Sequence, residues 1–358
     1  MCIRDSLRTL YYQETGIKKE ETNYIDGVQE GLWTEWYEDG QKRRERNFKD
    51  GERDSTWTTW YENGNKKFLA SYSDGKLNGK YIRWYEGGII KELDGEYLNN
   101  KKHKKWIYWS KNGQKTEEIN YNNGVHHGSH IKWFGEKSDQ HKKFHINYKD
   151  GNKDGEWSLW YDDGILKANE SYSNGEMDGL WVWWRPDGVM DKEGKYKNGV
   201  KHGLWTSWNN KDYKKDEETY VNGVLDGKVT IWHENGNKDR EGIIRGNEPE
   251  GLWTYYFPDG TEDFRFDYGS GLDRVRIAEL EERDGNFYKI GKHKPYTGIV
   301  VESGGVKDYV LLGRFQSGKK DGQWVQWYRN GQKEVEGTYF RGEKNGDWTL
   351  WYLSLIHI

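Results

Sequence analysis

Five of the ten histidines crowd into one stretch, at His126, His127, His130, His141 and His145. Imidazole at that density is raw material for a metal site. Yet the spacing matches no established ligand motif, and no carboxylate is placed as an orienting partner. His126 and His127 also occupy the place that Lys153-Asp154 and Leu225-Asp226 fill elsewhere, a variable turn. Asp150-Gly-Asn152-Lys-Asp154-Gly155 imitates the opening of a calcium loop, but the twelfth position, where such a loop needs a bidentate Glu, is Tyr161. The single cysteine, Cys2, supplies no disulfide framework, thiolate nucleophile or Cys-based zinc site. No Ser/His/Asp or paired-carboxylate spacing stands out. The expectation is a chain with no catalytic residues, no metal and no cofactor.

What remains is the chemistry of aromatic rings. The sequence holds 21 Trp and 26 Tyr, and aromatics make up 16% of it. One series, Trp36, Trp60, Trp84, Trp109, Trp133 and Trp160, recurs regularly and is the candidate binding stripe. Rings of this kind serve as interface anchors or as stacking platforms for sugars.

The elements that position them follow from an internal repeat. The aromatic residue before an Asp-Gly or Asn-Gly falls at Tyr24, Phe48, Tyr72, Tyr97, Tyr121, Tyr148, Tyr172, Tyr196 and Tyr220, mostly at steps of 24. The register continues through Ile244 to Tyr268 and reappears at Phe315 and Tyr339. The unit reads Tyr-x-(Asp/Asn)-Gly-x-x-x-Gly-x-Trp-x-x-Trp-Tyr-x-(Asp/Asn)-Gly, with clean copies at Trp33/Trp36/Tyr37, Trp57/Trp60/Tyr61, Trp157/Trp160/Tyr161 and Trp324/Trp327/Tyr328. Both Asp/Asn-Gly pairs predict two-residue type I′ hairpin turns, separated by strands of about seven to ten residues. The fold class is therefore all-β: tandem antiparallel β-hairpin repeats forming an elongated, twisted meander or solenoid-like sheet. The second Gly of each unit, as at Gly31, Gly155, Gly179 and Gly203, is expected to allow close backbone approach between hairpins.

Side chains alternate along a strand. Trp33, Glu35 and Tyr37 share one face; Leu32, Thr34 and Trp36 share the other. Aromatics thus fall on both faces, so either the sheet curls to bury one ladder or one ladder is an exposed stripe.

Residues 269–314 break the period. Val275 to Leu280, Ile299-Val-Val and the stretch from Tyr309 are more aliphatic than anything upstream. The organisation expected is a main array over 7–268, a divergent hairpin module over 269–314 and further repeats over 315–352. Met1 to Ser6 and Leu353 to Ile358 back-translate to near reverse complements and read as adapter-derived ends, with the natural N-terminus missing and the protein continuing beyond Tyr352.

The net charge of −4 comes from intermixed Lys and Glu, which gives no basic footprint for nucleic acid and no polybasic membrane patch. Lys101-Lys102-His103-Lys104-Lys105, the densest basic cluster, reads as a solvated turn. No apolar run reaches bilayer-spanning length, so a soluble protein is expected, cytoplasmic or exported.

The repeat unit, with Lys two residues after its third Gly, is similar to the MORN repeat variant of bacterial proteins, including those described as YwqK-family antitoxins. Leu280-Glu-Glu-Arg-Asp-Gly with Lys294-Pro-Tyr-Thr-Gly298 resembles the segment that often opens such arrays. The resemblance covers nearly all of 12 to 352. It implies an extended antiparallel array for protein–protein contact, with an antitoxin or immunity role in some members and no catalytic residues to carry over. The expected function is a non-catalytic interaction scaffold. Alternatives are neutralisation of a toxin by direct binding, and binding of carbohydrate or a cell-surface polymer through the aromatic ladder. The expected partner is a protein, with neither nucleic acid nor membrane; nothing bears on small molecules.

Overall fold

The computed structural model describes residues 5–135, 141–269, 272–304, 308–328 and 333–352. Almost every element is a strand; among the described residues the one helical element is the three-residue 3-10 turn Ile277–Glu279. The chain divides into two units, 1–212 and 213–358.

In the first unit each strand pairs with its neighbours in sequence. Asp5–Tyr11 pairs with Lys18–Ile25, and that strand with Val28–Trp36. The pattern runs antiparallel to Met190–Lys197 and Val200–Trp208. The sheet is an open meander of hairpins rather than a barrel.

The two turns of each repeat differ. After the Tyr-x position the type I′ turn forms as expected, with positive φ at both central residues: Asp50 at 49° and Gly51 at 78°. The Gly51 N–H then donates to the Gln29 carbonyl of the preceding repeat at 3.0 Å, and Gly75, Gly124, Gly151, Gly175 and Gly199 repeat that bond. The other Asp/Asn-Gly is not a two-residue turn. Strand pairing ends at Trp36 opposite Lys42, and the Tyr37 N–H donates to the Gln41 carbonyl at 2.8 Å. Asp39 Oδ1 accepts from the Gln41 N–H at 2.9 Å. The Asp side chain mimics a backbone turn and lengthens the connection, leaving only Gly40 with positive φ.

A bulge marks the second glycine of the unit. The register jumps from Glu45 opposite Thr58 to Asn47 opposite Asp54, and the extra residue takes a left-handed φ, as at Gly31 (76°) and Gly203 (77°). A Cβ added at either would meet nothing within 4 Å. At these two positions the positive φ of a bulge, not close approach, favours glycine, and Gly155 has only ordinary contact with Asn147 at 3.8 Å; at Gly179 close approach adds to it, since a Cβ would fall 2.8 Å from the Ser171 hydroxyl. Ser55 and Lys104 occupy the same place at 55° and 56°.

The second unit begins with the same meander, from Lys214–Val221 to Glu262–Asp267. Then the topology changes. Asp273–Arg276 pairs in parallel with Gly298–Gly304, which is antiparallel to Asp308–Gln316. A small hairpin, Leu280–Arg283 with Asn286–Lys289, lies between them in sequence. Val229, Ile244, Trp253, Phe266 and Tyr268 of the first sheet pack against Ile299, Val301 and Val325 of the second. Val300, on the opposite face of its strand, joins Val275, Tyr296, Phe315 and Trp324 in a second cluster. A strand buried on both faces reads as a continuous apolar run, which accounts for the aliphatic Ile299-Val-Val.

Candidate binding face

The two Trp positions of the repeat have different surroundings. The first position faces inward. Trp57, Trp106, Trp181 and Trp205 are buried, Trp106 down to 1% exposure. Their rings alternate with those of the turn Tyr residues: Trp181 lies 5.2 Å from Tyr172 and 4.9 Å from Tyr196, which is 5.0 Å from Trp205. Centroid distances in this range are favourable beyond the area buried.

Two further kinds of contact hold the inward rings. The bulge interrupts the ladder and leaves a carbonyl without its strand partner, and the indole N–H donates to it. Trp57 reaches the Asn47 carbonyl, Trp106 that of Glu96, Trp181 that of Ser171 and Trp205 that of Lys195, at 2.8–3.1 Å. In four repeats a cation four residues earlier lies over the inward ring: Arg53 over Trp57 (4.8 Å), Lys102 over Trp106 (4.4 Å), Lys153 over Trp157 (3.4 Å) and Lys201 over Trp205 (4.4 Å), whereas Met177 holds that place before Trp181. Burial holds the Lys153 ammonium below the usual lysine range, partly offset by Glu170. Lys102 is thus a structural cation in the strand Lys101–Trp109 and not part of a solvated turn. Lys104 and Lys105 pair with Glu96 and Glu118. Sequence reasoning missed this function of the cations, although the recurrence of Lys or Arg four residues before Trp was there to be aligned.

Where the inward Trp lies flat on the opposing strand, glycine is needed. A Cβ at Gly95 would fall 2.3 Å from Trp106, and one at Gly194 2.1 Å from Trp205. Arg46 and Glu170 hold the same place in other repeats, so the ring adapts when a side chain is present.

Trp36, Trp60, Trp84, Trp109, Trp133 and Trp160 lie on the opposite face, and each is partly exposed. The carbonyls of the first four accept hydrogen bonds from the hydroxyls of Tyr12, Tyr37, Tyr61 and Tyr85, one repeat earlier, at 2.8–2.9 Å. Each Tyr after the second Trp therefore ties its repeat to the next one. Beside these rings runs a row of paired charges, including Lys18–Glu21, Lys42–Glu45, Lys91–Asp94 and Lys115–Glu118. Lysine ammonium groups also lie near two of these rings, Lys18 Nζ 5.9 Å from the Trp36 centroid and Lys142 Nζ 5.6 Å from that of Trp160. The second unit has pairs of the same spacing at Lys214–Glu217 and Lys238–Glu241. There burial works to raise the Glu241 carboxyl, but hydrogen bonds from Lys238, Lys228 and Tyr256 outweigh it and bring it to about 2. Leu32, Leu180 and Leu204 share the outer face of the first unit and are 45–55% exposed.

The histidines are dispersed by role. His130 stands in the inward Trp position, with its ring 4.9 Å from Phe144. His126 lies between Tyr121 and Tyr148, at 4.9 and 5.1 Å. His145 meets the Ser129 hydroxyl at 2.8 Å, and His127 lies 3.3 Å from the Asp150 carboxylate. Among the described residues, no three His, Cys, Asp or Glu side chains are grouped to hold a metal ion.

Taken together, the fold and its stitching define a hairpin-repeat protein whose recurring feature is a surface rather than a pocket of reactive groups. Six segments, 29–50, 53–74, 102–123, 153–174, 177–198 and 320–340, match the family model of the MORN repeat variant. The chain is a MORN-repeat-variant protein, and the family is a non-catalytic repeat family. No curated protein matches the chain. Solved structures it is similar to include the TcdB2-TccC3-Cdc42 complex, at 10% identity over 97% of this chain and 17% of that one, TM-score 0.15. Another is a Tc holotoxin pore of Photorhabdus luminescens, at 12% identity over 96% of this chain and 21% of that one, TM-score 0.16. The chain spans less than a quarter of either.

Proposed function

We propose that the protein is a non-catalytic scaffold that binds a protein partner along the outer face carrying Trp36, Trp60, Trp84, Trp109, Trp133 and Trp160. One observation supports this reading above others. Inward Trp57, Trp106, Trp181 and Trp205 are buried in a stack of rings, whereas the outer Trp residues stay partly open beside exposed leucines and self-paired charges. Such a face offers apolar anchors within a polar surround, as interface hot spots do. A toxin is one kind of partner it would suit, which would make the protein an antitoxin. A second reading, binding of a polymeric sugar, draws on the spacing: outer Trp residues recur every two strands, about 9.5 Å apart, comparable with a disaccharide repeat.

The test replaces Trp36, Trp60 and Trp160 singly by Ala and measures melting temperature alongside binding to a protein recovered from the native host. Retained stability with weakened binding is the expected result. If binding persists in all three variants, the outer Trp face is not the partner site. Retention by an immobilised β-linked glycan, lost in the same variants, would favour the sugar reading instead.

A further inference from the structure

In four places in the first unit a permanent cation lies over an inward Trp four residues later. The same two positions in the strand Val125–Trp133 are occupied by His126 and His130, with ring centroids 5.6 Å apart. We propose that this pair makes its hairpin, Val125–Trp133 with Lys142–Lys149, a pH-responsive joint, closed while the two imidazoles carry at most one proton and loosened when both are charged.

The surroundings support the asymmetry. Glu117, from the strand Lys115–Asn122, meets His130 Nε2 at 2.9 Å, and that hydrogen bond, opposed by burial and helped by Lys132, holds the Glu117 carboxyl below its usual range. The carboxylate can therefore offset a proton on His130. His126 makes no such contact. It faces Tyr121 from the same neighbouring strand, Tyr148 from Lys142–Lys149, Lys102 from Lys101–Trp109, and His130 on its own strand. Burial, His130 and Lys102 hold its imidazole below the ordinary value, and Glu117 opposes them only weakly. Two other histidines nearby point elsewhere: His145 to Ser129, with Lys142 and Glu156 beside it, and His127 to Asp150.

A group whose folded value is depressed in this way, being a base, binds protons better when released. Closure is therefore strongest above the usual histidine range, about 6.5, and weakens as pH falls through it. An independent feature makes this the place to yield. The Tyr hydroxyl that ties one repeat to the next is absent at two successive positions, Ser110 and Phe134, whereas Arg185 and His233 at that position still meet a carbonyl of the next repeat. The Ser110 hydroxyl turns instead to the Gln114 carbonyl.

Hydrogen exchange of the full chain at pH 7.5 and 5.5, corrected for intrinsic rates, tests the proposal. The strands Glu52–Trp60 and Lys66–Ser73, which contain no histidine, serve as internal reference. Opening of Val125–Trp133 and Lys142–Lys149 should rise at least about threefold more than the reference at pH 5.5. H126K/H130W restores the cation-over-Trp arrangement and should remove that difference. If this variant fails to fold, H126Q should remove most of it. An unchanged ratio between the two regions at pH 5.5 overturns the proposal, as does a rise that survives in the variant that folds.

Discussion

Replacing Gly194 by Ala would place a methyl carbon 2.1 Å from Cδ2 and 2.6 Å from Cγ of Trp205. Ordinary contact needs more than an ångström beyond that, so the indole or the strand must move. The indole is held by its hydrogen bond to the Lys195 carbonyl at 3.1 Å, by Lys201 at 4.4 Å and by Tyr196 at 5.0 Å. Overpacking of this kind costs about 1–3 kcal/mol, and weakening the indole bond adds about 1 kcal/mol. Against this, Ala narrows the unfolded ensemble by about 0.4–1 kcal/mol. The net expectation is a loss of about 2 kcal/mol, or a fall in melting temperature of about 4–8 °C. A double-mutant cycle with Trp205→Val isolates the clash, since Val229 holds the corresponding position one repeat later. In the Val background the Gly194→Ala cost should fall by at least about 1 kcal/mol. Thermal and urea unfolding of the four proteins measure this. A neutral Gly194→Ala, or strict additivity with Trp205→Val, would refute the idea that glycine is present to admit the indole.

Gly203→Ala tests the other glycine role: with space around the Cβ but φ at 77°, it should cost about 1 kcal/mol in urea titrations, and no Trp substitution should rescue it. Tyr61→Phe removes the hydroxyl that reaches the Trp84 carbonyl at 2.8 Å and should lower stability by about 0.5–1.5 kcal/mol; no change would mean that the inter-repeat bond is replaced freely by water. Glu241, depressed to about 2, contributes stability that is complete above about 4.5 and lost as pH falls toward 2. Because its lysine partners are 41–63% exposed, that contribution is about 1–2 kcal/mol rather than the full linkage value. Glu241→Gln should flatten the acid limb of the stability–pH curve by that amount, and identical curves would contradict it.

Much of the fold was legible because the repeat makes its signals redundant. The Tyr-x-Asn-Gly turns and the Trp33/Trp36 alternation place the strands, and the faces follow from the pleat. The five-residue connection Tyr37 to Gln41 was less legible, since Asp39-Gly40 reads like Asp50-Gly51. The difference lies in whether the Asp side chain turns back onto its own loop. The bulge was hidden too: glycine at 31 and 203 announces either close approach or a left-handed φ, and only Ser55 and Lys104, tolerated at the same φ, separate the two. The parallel pairing of Asp273–Arg276 with Gly298–Gly304 had no local signal beyond aliphatic content, because pairing across that distance depends on what the intervening hairpin packs against. For the candidate face, the outer Trp series was visible by spacing alone. The lysines near it, and the cations over the inner rings, depend on side-chain conformations that spacing does not fix.

The central claim is a division of labour between the two Trp residues of one repeat, and Trp106 and Trp109 allow it to be measured within a single strand. Trp106 is 1% exposed, bonded to the Glu96 carbonyl and capped by Lys102; Trp109 is partly open, and only its backbone carbonyl is engaged by Tyr85. Equilibrium unfolding of Trp106→Ala and Trp109→Ala should show losses of about 3–5 kcal/mol for the first and about 1–2 kcal/mol for the second. Equal losses, or a larger loss at Trp109, would contradict the assignment of the inner ring to the fold and the outer ring to a partner.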